Sequence, residues 1–356
     1  MLHLFQTMKL IDKLFTGPID IIGDVHGEID ALIRLLDKLG YDRQGQHPAG
    51  RHLVFVGDLT DRGPDSVAVI EQVAAMVAAG RAQCILGNHE LNLLRDVPKH
   101  GNDWWSRPGE PTRLPSTSVT AAAKTRLMTW LATLPLALER EDLRVVHACW
   151  DKIAIDALRA MEPPKEGIMP AWLQYEEQLR ARWREADNAA ALRAEWQAIQ
   201  PELQDQAITP PFMPVTARMD ADFQMGNPIS VLTSGMEQPA SAPFWAGGRW
   251  RMVERVKWWE RYKDTLPVVV GHYWRRYSEI PATDFGTFGP DLFDGIAPHQ
   301  WMGARHNVYC VDFSVGGRAE QRFNGAALEV CQLAALRVPE WQVVHDDGGT
   351  WEIGPP

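Results

Sequence analysis

Asp24, His26, Asp58, Asn88, His147 and His272 all follow short apolar runs. They combine carboxylate oxygen, amide oxygen and imidazole nitrogen without any thiolate, a donor set that suits Mn, Fe, Zn or Ni better than a soft metal. Six such groups exceed what one ion takes from a catalytic site that must also hold water. The economical reading is two divalent ions about 3.5 to 4 Å apart, Mn being the first expectation, with Asp58 bridging them. Asp61 and Arg62 lie just past Asp58, and His89 directly follows Asn88. Arg62 can present its planar fork to a phosphate. His89, with Asp61 fixing its tautomer and raising its pKa, can protonate a departing oxygen. The chemistry these groups support is hydrolysis of a phosphate monoester by in-line attack of a metal-activated hydroxide, with no covalent enzyme intermediate. Any one residue could be a loop cap or a satisfied buried polar group; the joint pattern carries the reading.

Such residues need rigid elements to hold them. PIDIIGDVHGEIDALIRLLDKLGY reads as strand, loop and helix, with Ile29, Leu32, Ile33, Leu36 and Leu39 at helical spacing and Gly40 closing the helix. HLVFVGDLTDRGPDSVAVIEQVAAMVAAG repeats that order, with a strand over Leu53 to Val56 and a helix over Ser66 to Ala79, and CILG supplies a third strand. Successive right-handed crossovers would bring three polar loops to the carboxyl ends of parallel strands, where ligands bind in α/β sheets. Further on, a helix is expected over Ala121 to Ala132 and a strand over Leu143 to Val146. One or two surface helices are expected between Ile168 and Gln200, and irregular chain over the Pro-, Gly- and Met-rich stretch from Ile208 to Gly248. A helix around Met252 to Tyr262 precedes a strand over Leu266 to Val270. The last third reads as short antiparallel strands, NVYCVDFS, ALEVCQLAAL and WQVVHDD. The 356 residues form a single domain in this reading, with 151–250 a cap or insert within it.

The balance of 36 Lys+Arg against 46 Asp+Glu gives a net charge of -10, which argues against broad binding to nucleic acid or an anionic membrane. Two divalent ions and Arg62 would still invert the potential locally. The four cysteines are too widely spaced for a zinc knuckle or a redox pair, so buried thiols in a reducing compartment are expected. The first 17 residues lack the pattern of an export signal, and no apolar run is long enough to span a bilayer, so the expected location is cytoplasmic. The 15 tryptophans are the unusual feature, and many lie near the late histidines.

The motifs GDVHG, GDLTDRG and GNHE resemble those of the calcineurin-like metallophosphoesterases, and within them the bacterial branch of the phosphoprotein phosphatase superfamily. Asp24 and Asp58 are 34 residues apart, and Asp58 and Asn88 are 30 apart. The resemblance implies an α/β, four-layer fold: a central mixed β-sandwich flanked by helices, here with a helical and irregular insert. It implies that Asp24, His26 and Asp58 hold one metal and that Asp58, Asn88, His147 and His272 hold the other. Asp61 and His89 would form the acid pair, and Arg62 would grip phosphate. The chain departs from the family at His147-Ala148-Cys149-Trp150 and His272-Tyr273-Trp274, where Trp150 and Trp274 would narrow the cleft. Arg249 and Arg218 are candidates for a second phosphate-gripping arginine. The substrate expected first is a Ser/Thr phosphoprotein. The alternative is a dinucleoside polyphosphate such as diadenosine tetraphosphate, or another phosphorylated nucleotide or small molecule. A scaffold that has lost catalysis would lack a bridging or acid residue, and none is missing.

Overall fold

The computed structural model describes residues 9–162, 164–199, 202–246, 248–278, 290–325 and 330–356. In chain order the strands are β1 (Ile11–Lys13), β2 (Ile19–Ile22), β3 (His52–Phe55), β4 (Ala82–Cys84), β5 (Ala137–Arg140), β6 (Leu143–Val146) and β7 (Glu237–Ala246). They continue as β8 (Arg249–Arg255), β9 (Val268–Val270), β10 (Val308–Cys310), β11 (Ala334–Val338), β12 (Gln342–His345) and β13 (Thr350–Glu352). One sheet runs β13-β12-β11-β2-β3-β4, a second runs β1-β5-β6-β9-β10, and β7 and β8 form a separate hairpin.

Strand alternation explains how the two large sheets stack. Ile19 and Ile21 of β2, with Val54 of β3 and Val56 just beyond it, pack against Leu138, Leu143, Val145 and Val269 of the other sheet. The opposite faces carry Ile22, Leu53 and Phe55, which meet Leu32, Leu35, Leu36, Val69 and Val73 of the first two crossover helices, Ile29–Leu39 and Ser66–Ala78. The result is a mixed β-sandwich with helices outside it. The parallel order of β2, β3 and β4 stands as expected, although β4 ends at Cys84 where the expected third strand, CILG, begins.

Three expected elements differ. The stretch 208–248 is ordered: Pro214–Met225 and Pro228–Ser234 are helices, and β7 follows. The prolines read as breakers occupy first-turn positions, where their missing N–H costs nothing. Met252 to Tyr262 is the end of β8 and a 3-10 turn over Trp258–Arg261, because β7 satisfies β8 across the hairpin. β10 pairs in parallel with β9, whereas β11 and β12 are antiparallel as expected. Residues 327–329 of the ALEVCQLAAL run lie outside the described residues. All four cysteines are buried and free, and among the described residues no helix is long and apolar enough to cross a membrane.

The last strands enclose a histidine pair. His299 Nε2 lies 2.9 Å from His345 Nε2, so one ring donates while the other accepts. The His299 ring stacks on Trp351, 4.2 Å away. Burial pulls the His299 pKa down to about 4, and burial with the His299 and Arg275 charges holds His345 well below its ordinary value. A depressed basic group lets the unfolded chain take protons that the folded chain refuses, so stability present above pH 6.5 falls as pH drops toward 4. Melting temperature should therefore decline across that window, and His299→Gln should flatten the decline. An unchanged slope in the variant would show that this pair is not responsible.

Candidate metal centre

Three loops at the carboxyl ends of β2, β3 and β4 deliver Asp24, His26, Asp58, Asn88 and His89, and the loops after β6 and β9 deliver His147 and His272. The backbone is held tightly there. Gly87 abuts the Asp58 loop so closely that an added Cβ would sit 2.3 Å from Asp58 Oδ1, which leaves room only for glycine. His26, Asp58, Asp61, Arg62, His272 and Trp274 all have positive φ, between 47° and 74°. Left-handed backbone at non-glycine residues costs about 1 to 3 kcal/mol each and persists only where the surroundings enforce it. Glu90 is part of that enforcement: its buried carboxylate accepts the N–H groups of Asp58, Leu59 and Gly87 at 2.8, 2.8 and 3.1 Å.

Asp58 lies at the centre. His147 Nε2, His89 Nε2 and His26 Nε2 are 3.3, 3.9 and 4.0 Å from Asp58 Oδ2, while Oδ1 accepts the His89 backbone N–H at 2.9 Å. Two groups of potential ligands share this residue: His26, Asp58 and His89, and Asp58, His147 and His272. Asp24 Oδ2 is 3.9 Å from His26 Nε2, and Asn88 Oδ1 is 3.2 Å from His147 Nε2 and 2.7 Å from His272 Nδ1.

Tautomers are set from behind. His26 Nδ1–H donates to the Thr60 carbonyl at 2.9 Å and His147 Nδ1–H donates to the Val56 carbonyl at 2.7 Å, because a carbonyl can only accept. Each ring then turns a bare Nε2 toward Asp58, the arrangement usual for metal-ligating histidines. His26 Nε2 and His272 Nε2 are buried without a hydrogen-bond partner. Burial, then the charges of Asp312 and Asp58, raises Asp24 well above its ordinary pKa. Orphaned imidazole nitrogens and crowded carboxylates are what divalent cations would satisfy, so the residues fit a two-metal centre.

Beside the ligands, His89 Nδ1 is 2.6 Å from Asp61 Oδ2, and Trp104 Nε1 donates to Asp61 Oδ1 at 2.8 Å. Burial alone would lower His89, but Asp58 and the Asp61 hydrogen bond carry it above 6.5. Arg62 places its guanidinium carbon 4.3 Å from the centre of the Trp274 ring, and its Nη2 is 3.5 Å from His89 Nε2. Sequence reasoning did not assign Trp104, Glu90 or Asp312 a role. Glu90 stood within the GNHE motif, whereas the Asp61 contact of Trp104 spans 43 residues and nothing local announces it. Asp312 accepts the Trp274 and Ser314 N–H groups at 2.7 and 2.8 Å and so fixes the loop after His272.

Trp150 is not at the cleft mouth: it is 5% exposed, packed in the core with Arg144 4.7 Å over its ring. Arg249 lies 4.0 Å from Asp220, and Arg218 sits over Trp183 at 5.2 Å. Neither makes a hydrogen bond or ion pair with the clustered residues among those described.

If Asp61 and His89 act as an acid pair, Trp104 is the residue that positions them through its hydrogen bond to Asp61. Trp104→Phe removes a hydrogen bond to a carboxylate, worth about 1.5 to 3 kcal/mol, and should slow hydrolysis of phenyl phosphate roughly tenfold. Hydrolysis of p-nitrophenyl phosphate, whose leaving group needs less help, should slow less. Equal losses would assign Trp104 to packing alone.

Residues 17–183, just under half of the chain, match the family described as Calcineurin-like phosphoesterase, a span that contains Asp24, His26, Asp58, Asn88 and His147. The site's two groups of potential ligands share Asp58, the arrangement that a dinuclear centre would need. Over 79 residues the chain is 56% identical to the asymmetrical bis(5'-nucleosyl)-tetraphosphatase PrpE of Halalkalibacterium halodurans, a match covering 21% of this chain and 32% of that protein. Over 161 residues it is 34% identical to the symmetrical bis(5'-nucleosyl)-tetraphosphatase of Aeromonas salmonicida, covering 43% of this chain and 54% of the other. The chain thus spans about a third of the PrpE relative and about half of the symmetrical one. Among solved structures, a cold-active protein-tyrosine phosphatase of a psychrophile Shewanella species aligns with a TM-score of 0.43 at 16% identity, over 98% of this chain and 83% of that one. That likeness is too distant to bear on function.

Proposed function

We propose that this chain hydrolyses dinucleoside polyphosphates such as diadenosine tetraphosphate, using two divalent ions, Mn first among the candidates. The observation that carries the reading is the local identity to two proteins named as bis(5'-nucleosyl)-tetraphosphatases, joined to two groups of potential metal ligands that share Asp58. It displaces the Ser/Thr protein phosphatase expected first, which shares the same core chemistry. We take the chain as one domain in which 151–250 forms a cap.

Asp24, His26, Asp58, Asn88, His147 and His272 would hold the ions. When bound, these would supply Lewis-acid charge at the phosphate and a nucleophile from water. The remaining steps belong to side chains. Arg62, steadied on Trp274, binds equatorial phosphate oxygens. His89 Nε2 donates its proton to the leaving oxygen, and Asp61, held by Trp104, stabilises the imidazolium that precedes transfer. Glu90 keeps the Asp58 loop from drifting.

The test is steady-state hydrolysis under Mn of diadenosine tetraphosphate, phosphoserine and phosphothreonine peptides, a phosphotyrosine peptide and a 2',3'-cyclic nucleotide. A preference in kcat/KM of about a hundredfold for diadenosine tetraphosphate is expected. The same margin for a phosphopeptide would overturn the proposal, and the products, two ADP or ATP with AMP, would report the bond cleaved.

A further inference from the structure

A group of cations stands beside the metal centre with little to neutralise it. Strand alternation puts Arg249, Arg251 and Arg255 on one face of β8. At one end, the Arg255 guanidinium carbon is 5.8 Å from the centre of the Tyr273 ring, and that ring meets His272 edge-on at 5.0 Å. Burial, then the charges of Arg95, Arg251 and Arg249, lower the ammonium pKa of Lys99, in keeping with a further cation near the other end of the strand.

Opposing charge is sparse. Arg249 reaches Asp220 only at 4.0 Å, and Arg251 donates to the Ala246 carbonyl at 3.4 Å. Among the described residues Lys99, Arg251 and Arg255 form no ion pair. Glu237 faces Arg255 across the hairpin, but its burial raises its carboxyl pKa despite the arginines. Crowded, unpaired cations in a chain of net charge -10 raise the folding free energy, and an elongated anion would relieve that cost.

We propose that Lys99, Arg251 and Arg255 form a polyphosphate-binding track, gripping phosphoryl groups beyond the one held at the metal centre. This rests on the nucleotide reading above and gives it a physical basis: a substrate with several linked phosphates fills the track, whereas a monoester does not.

The experiment measures inhibition of p-nitrophenyl phosphate hydrolysis by inorganic tripolyphosphate and by orthophosphate at fixed free Mn, in the full chain and in Lys99→Gln, Arg251→Gln and Arg255→Gln. The inhibition constant for tripolyphosphate should rise about tenfold in each variant, the loss expected for one charge-assisted contact, while that for orthophosphate moves less than about twofold. Arg251→Lys, which keeps the charge, should recover most of the inhibition. No change, or equal changes for both anions, would overturn the track. If diadenosine tetraphosphate is not hydrolysed but tripolyphosphate inhibition responds as described, the track stands and the proposed substrate falls. If diadenosine tetraphosphate is hydrolysed with a KM that the variants leave unaltered, the substrate stands and the track falls.

Discussion

Asp58→Asn should lower hydrolysis of every phosphate ester by roughly three orders of magnitude or more, because one carboxylate is common to both groups of potential metal ligands. Its Oδ2 faces three imidazole nitrogens within 4.0 Å, and its Oδ1 holds the His89 backbone. The near-isosteric amide fills the same space beside Gly87, so the fold should survive. It lacks the negative charge that two cations would share, and metal stoichiometry should drop together with activity. The check pairs p-nitrophenyl phosphate turnover under Mn with metal content after dialysis. Wild-type turnover in the variant would remove the two-metal assignment.

His89→Asn should separate substrates by leaving group. General acid catalysis contributes roughly 10²- to 10⁴-fold, and that contribution matters most when the departing oxygen is a poor leaving group. Phenyl phosphate should therefore lose far more rate than p-nitrophenyl phosphate. The pH dependence follows from the sign of the shift. Asp58 and Asp61 overcome burial and raise His89 above 6.5, so its proton is present at neutral pH and leaves as pH rises through the raised value. The wild-type rate should fall on that alkaline limb, and the variant should lack the fall. A parallel loss for both esters would instead make His89 a ligand, a role its place beside His26 and Asp58 also permits.

The first crossovers and their polar loops were readable because each apolar strand is short, buried on both faces and followed at once by the residues that matter. His147 and His272 were readable for the same reason. What could not be read depends on partners far along the chain. The end of β8 fell within an expected helix over Met252 to Tyr262, since Met252, Val253 and Val256 stand at i, i+1 and i+4, and only pairing with β7 makes it a strand. Pro214 and Pro228 looked like breakers because their position within a turn is invisible without the turn. Trp150 and Trp274 follow similar histidines, yet one is core and the other supports Arg62. Composition marked tryptophan as unusual, and only packing distinguishes the indole that holds Asp61 from those that fill space.

The candidate metal ligands do not come from one sheet. Asp24, Asp58 and Asn88 extend from β2, β3 and β4, whereas His147 and His272 extend from β6 and β9 on the other side of the sandwich. Ions held between them would rivet the two layers together at one rim. A ligand that binds only the folded chain raises stability with its concentration, so chelation should loosen the sandwich at that rim as well as silence the enzyme, coupling the protein's durability to the divalent metal supplied by its surroundings.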